Sequence, residues 1–135
     1  MHSSCASTAL LALAACAAPT APTFNASITA VPLIGPAPDP SITRSGSSVR
    51  ISWWIGTNEP CYEFAATAAA SRDTLVVTVA ATRREGMCLQ VLAAFSYTVT
   101  VSGVTPATRA LRLVYDRRGP PTYVETALEQ SLGGA

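Results

Sequence analysis

A chain of 135 residues with a net charge of +1 has the size of one domain, and its charge gives no pull towards nucleic acid or a strongly charged substrate. Its nine basic residues are all arginine and its single histidine is His2. Beyond the first residues there is thus no imidazole for base catalysis or metal ligation and no lysine amine for a Schiff base, so we expect no enzyme, no cofactor and no metal site.

Residues 8–15 form an apolar run too short to cross a bilayer as a stable helix, and small residues follow it, as in a secretory signal. Leu13-Ala14-Ala15-Cys16 closes the run. This resembles the lipobox of bacterial lipoproteins. The resemblance implies a signal peptide over residues 1–15 and cleavage before Cys16. It further implies acylation of Cys16 by palmitate-like chains and a place in the cell envelope, outer-membrane or periplasm-facing. Several acyl chains on one residue would hold the protein stably on a membrane. A plain secreted chain cut at an Ala-x-Ala site, or an alanine-rich start that is no signal, are the alternatives. Residues 16–23, small and proline-bearing, read as the lipidated cysteine and a flexible tether.

A folded domain is expected over residues 24–130, followed by a disordered tail over 131–135. Its dominant signal is period two. Val49, Ile51, Trp53 and Ile55 alternate with Arg50, Ser52, Trp54 and Gly56. Residues 63–70 are alanine-rich, yet Tyr62, Phe64 and Ala66 share one parity and predict a strand rather than a helix. Leu75, Val77, Val79 and Ala81 make the next run. The longest joins Leu89, Val91, Ala93, Phe95, Tyr97, Val99 and Val101. Leu111, Leu113 and Tyr115 follow, then a weaker strand over 123–129. Gly, Pro, Ser and Asp fall between the runs, as at Ser45-Gly46-Ser47-Ser48 and Gly119-Pro120-Pro121. Short strands with regular turns predict an all-β chain, a small antiparallel two-sheet sandwich of about seven strands. Tyr97 to Pro106, followed by Leu111-Arg112-Leu113, resembles the late strands of fibronectin type III and immunoglobulin-like domains, which implies an immunoglobulin-like arrangement.

With Cys5 removed and Cys16 acylated, Cys61 and Cys88 remain, an even pair suited to an oxidising compartment. A bridge between them would contribute roughly 3–4 kcal/mol through loop closure. Parity sets Cys61 against Tyr62 and Phe64, and Cys88 against Leu89, so the bridge should be peripheral. A redox or metal site would want Cys-x-x-Cys spacing, which is absent.

Parity also places Trp53 in the core and Trp54 on the opposite face, beside the loop Gly56-Thr57-Asn58-Glu59-Pro60. Trp54, Asn58 and Glu59 are therefore the candidate binding residues, because aromatics dominate binding hot spots. Packing of Trp54 against the disulfide or under the N-terminal segment is the alternative. Arg83-Arg84-Glu85 and Asp116-Arg117-Arg118 read as solvated charge in turns, with a weak attraction to anionic headgroups as the alternative. The expected function is a lipid-anchored envelope module that binds an unidentified protein, glycan or small ligand. An assembly accessory that pairs through an edge strand, or an inhibitor of an extracellular hydrolase presenting residues 56–61, are the other readings.

Overall fold

The computed structural model describes residues 23–119 and 121–133. The segments expected to be a signal peptide, the lipidated Cys16 and a tether lie outside the described residues as far as Pro22. Eight strands follow one another: β1 (Asn25–Pro32), β2 (Ser41–Ser45), β3 (Ser48–Thr57), β4 (Tyr62–Ser71), β5 (Thr74–Arg83), β6 (Ala93–Ser102), β7 (Ala110–Arg118) and β8 (Tyr123–Ser131). They form two four-stranded sheets, ordered β1-β6-β3-β2 and β4-β5-β7-β8. The molecule is a β-sandwich, and among the described residues no helix is long and apolar enough to cross a membrane.

Alternation builds the core. Val49, Ile51 and Ile55 of β3 and Tyr97, Val99 and Val101 of β6 face Leu75, Val77 and Val79 of β5 and Leu111 and Leu113 of β7. Full burial of such an aliphatic side chain stabilises by roughly 1.5–3 kcal/mol. The alanine-rich segment is indeed a strand, because each of its residues from Tyr62 to Ser71 is laddered to β5, and Phe64, Ala66 and Ala68 pack against the core.

Three features differ from the sequence reading. The expected all-antiparallel arrangement is broken by β5 and β7, which pair in parallel. The chain leaves β5, runs back through the other sheet as β6, and so re-enters beside β5 in the same direction. These orders are not the 1-2-5-4 and 3-6-7 of an immunoglobulin constant domain. Secondly, the long apolar run does not begin its strand at Leu89. Its neighbours β1 and β3 reach only to Phe95 and Ala93, so Leu89 and Val91 have no ladder partner and stand exposed. Thirdly, order continues beyond residue 130. Ser131 closes β8, and Leu132 is buried in the core with its N–H on the Arg109 carbonyl at 2.8 Å.

Gly103 has φ 85°, and a Cβ there would lie 2.7 Å from the Thr23 carbonyl oxygen. Both the backbone angle and the close approach require glycine. At the same end, Arg44 of β2 donates to the Thr108 and Thr105 carbonyls, each at 2.7 Å, and clamps the β6–β7 connection.

Two phenols bridge the sheets. The Tyr115 hydroxyl donates to the Trp54 carbonyl at 2.9 Å, so the 2.8 Å contact with Tyr97 is a bond donated by Tyr97. Burial, opposed by the bond it accepts from Tyr97 and aided by the negative charge of Glu125, pushes Tyr115 up to about 12. Burial and the bond to Tyr115 push Tyr97 further still. Replacing Tyr115 by Phe strands both the Tyr97 hydroxyl and the Trp54 carbonyl, and should cost about 1–3 kcal/mol. Tyr97→Phe strands nothing and should cost less. Denaturant titration of the two variants checks this order, and equal costs would refute the relay.

The pH dependence has a fixed sign. Below the ordinary tyrosine value of 10.0 both phenols are neutral whether the chain is folded or not. Above it the unfolded chain releases protons that the folded one retains, so this contribution is lost as pH rises through the folded values. Unfolding free energy should fall from about pH 10 upward, and Tyr97→Phe should flatten that fall.

Candidate functional site

The registers place the strand ends at two poles. Pro32 meets Phe95, Thr57 meets Ala93, Tyr62 meets Arg83 and Arg117 meets Tyr123 at one pole. The chain enters β1 at the other, where Asn25 meets Ser102. All the exposed large apolar residues among the described residues belong to the first pole. They are Val31, Ile34, Met87, Leu89, Val91, Leu92, Tyr123 and Val124. Ile34 is 94% exposed and Leu92 89%. Single exposed aliphatics need no explanation, but their gathering on one pole does.

The disulfide holds this pole. Cys61 and Cys88 are bonded with Cα atoms 6.1 Å apart, tying the entry to β4 to the loop before β6. Both are partly exposed. The bridge is peripheral as expected, although Cys88 sits in a loop and not on the outer face of a strand. Backbone closes the same junction, since the Arg84 N–H donates to the Cys61 carbonyl at 2.8 Å.

Glu59, a candidate contact residue by sequence, does a different job. It is only 2% exposed. Its carboxylate accepts bonds from Arg83 Nε and, at 2.8 Å, from Gln90 Nε2. The loop it occupies is tightened by Thr57 Oγ1 donating to the Glu59 carbonyl at 2.6 Å. Arg83, expected to be solvated, is thus part of an internal ion pair. Asn58 accepts a bond from the Tyr62 hydroxyl at 3.3 Å and lines a groove on the flank of the pole.

Trp54 lies in that groove. A Cβ on Gly56 would meet its ring at 3.4 Å, so the indole rests beside a glycine on the outer face of β3. Leu92, Ala93, Ala94, Pro121 and Tyr123 complete the apolar lining of about 460 Å³. Trp53 occupies the inner face, with its ring centroid 6.2 Å from that of Tyr115. It is packed against the core without being fully enclosed, because β2 pairs with β3 only as far as Ser52.

Arg117 was missed. Instead of standing in solvent it is 8% exposed, with its guanidinium 5.1 Å from the Tyr123 ring centroid and 6.0 Å from that of Tyr62. It donates to the Gly56 carbonyl, while its Nε has no partner. Among the described residues no carboxylate lies within ion-pair distance of it. The signal was present in the alternation: Leu111, Leu113 and Tyr115 face inward, and Arg117 is the next odd residue of the same strand. Another opening, of about 570 Å³, lies at the seam of β1 and β4 beside Ile28, Phe64 and Phe95. Its arginine, Arg84, is already paired with Glu63 at 3.0 Å.

No group of three His, Cys, Asp or Glu side chains that could hold a metal ion occurs among the described residues. No protein family, curated protein or solved structure matches this chain.

Removing the bridge should loosen the pole and lower stability together. The double variant Cys61→Ala/Cys88→Ala is expected to lose roughly 3–4 kcal/mol of unfolding free energy. It should also become sensitive to proteolysis between Arg83 and Leu92. An unchanged denaturation midpoint would show that the loop is ordered without its covalent tie.

Proposed function

We propose that this chain is a lipid-anchored cell-envelope binding module, held to a membrane through Cys16 and presenting the loop pole of its sandwich to a partner. One observation carries the reading. The exposed large apolar residues are collected at the pole opposite the entry of the chain, and four of them, Met87, Leu89, Val91 and Leu92, lie on a loop braced by a disulfide. An anchor ahead of β1 would leave that pole facing away from its own membrane. A rigid apolar contact surface loses little conformational entropy on binding, and bracing by a covalent tie serves that end. The inhibitor reading is weaker, because Glu59 of its candidate loop is turned inward and ion-paired. An assembly role through β8 keeps some support, since β8 is an edge strand exposed along most of its length.

Two linked measurements test the proposal in cells producing the full chain. Labelled fatty acid should enter the wild type and be absent from Cys16→Ala; label in both would refute the anchor. A photo-crosslinking residue at position 89 or 92 should give a discrete protein adduct that one at Arg72, on the opposite pole, does not. Equal adducts from both poles would refute the contact surface.

A further inference from the structure

The geometry points to the groove beside Trp54 and Arg117 as a docking site for an extended peptide. The peptide adds a strand to the uncovered half of β3 and sets an acidic side chain against Arg117. This rests on the binding-module reading and names the chemistry of the partner.

The edge is open because β2 is short. It pairs with residues 48–52 of β3, whereas residues 53–57 have β6 on one side and, among the described residues, no strand on the other. Five residues of strand extend about 17 Å, enough for a peptide ladder that continues the line of β2. The Trp54 and Gly56 carbonyls accept bonds from Tyr115 and Arg117 of the facing sheet. A carbonyl oxygen has two lone pairs, so each retains capacity for an incoming N–H.

The side chains set the specificity. A strand in that place turns alternate residues inward, between the sheets, where Arg117 waits with an unpartnered Nε and no counter-ion among the described residues. A buried guanidinium without an anion is costly, and a ligand carboxylate would relieve that cost. The contrast with Arg44 is instructive. Its Nε is also unpartnered, but both of its terminal nitrogens are engaged by carbonyls. The residues that alternate outward meet Trp54, with Leu92 and Tyr123 completing the apolar wall.

The occupant is not a described part of this chain. The connection between β1 and β2 carries Pro36, Pro38 and Pro40, which have no N–H to offer a ladder, and its one acid, Asp39, makes no ion pair among the described residues. Residues 1–23 contain no Asp or Glu. Glu125 lies two residues along β8 from Tyr123, lines an adjoining opening that shares Trp54 and Arg117 with the groove, and opposes a ligand anion. Its removal should therefore tighten binding.

The test uses the full chain in detergent and three capped seven-residue peptides of alternating Thr and Val. One has a central Glu, one a central Gln, and one the Glu with alternate backbone nitrogens methylated. Binding is followed by tryptophan fluorescence and by the Arg117 Nε–H resonance. The Glu peptide should bind saturably and shift that resonance, and the Gln peptide should bind roughly tenfold more weakly. The methylated peptide should not bind. Trp54→Ala should weaken the Glu peptide and Glu125→Gln strengthen it. Because Arg117 is buried and its variants can unfold, the peptide substitutions carry the decision. Equal affinity for Glu and Gln, or indifference to methylation, would overturn the proposal. So would self-association through this edge with no peptide binding. No binding of the Glu peptide, with crosslinks from positions 89 and 92 intact, would sink the groove and leave the module standing. Peptide binding without those crosslinks would do the reverse.

Discussion

A strand whose neighbour stops halfway must find partners for its remaining carbonyls elsewhere, and β3 finds them across the sandwich. Tyr115 and Arg117, two residues apart on β7, reach the carbonyls of Trp54 and Gly56, two residues apart on β3. The matching spacing means that one stretch of β7 caps one stretch of β3. An inward cation is also a known way to blunt an exposed edge against indiscriminate pairing. The half-open side of the sandwich, the incomplete enclosure of Trp53 and the buried arginine are consequences of that one mismatch in strand length.

The pole that carries the exposed aliphatics depends on a different balance. Residues 87–92 have neither ladder partners nor an opposing sheet, so nothing in the sandwich itself would hold them. They are held by the Cys61–Cys88 bridge on one side and by Gln90 on the carboxylate of Glu59 on the other. Glu59 is in turn fixed by Arg83, at the end of β5. Polar and covalent ties therefore do at this pole what packing does in the core, and they leave the apolar side chains free to face outward.

Much of the fold was legible because period two is a direct imprint of burial on a strand. Val49 to Ile55, Leu75 to Ala81 and Leu111 to Tyr115 alternate in sequence and alternate in space. Alternation cannot report where a neighbouring strand ends, and that is why Leu89 and Val91 were assigned to a buried face. Nor can it report direction, so the parallel meeting of β5 and β7 was invisible. The candidate site was half legible. Trp54 and the disulfide followed from parity and cysteine count. Glu59 and Arg117 did not, since a charged residue near a turn is ordinarily solvated, and only a long-range contact can make it otherwise. Arg83 and Glu59 are 24 positions apart in the chain.

The parallel pair also constrains how the molecule is assembled. The β4–β5 and β7–β8 hairpins are local and can form early. Joining them brings Thr74 to Ala110, with the whole of β6 looped out between and committed to the other sheet. Neither sheet can then be completed on its own, because the segment that separates the two halves of one is an interior strand of the other. Such dependence on distant pairings makes for slow acquisition of structure and for a single concerted closure rather than a sheet-by-sheet one.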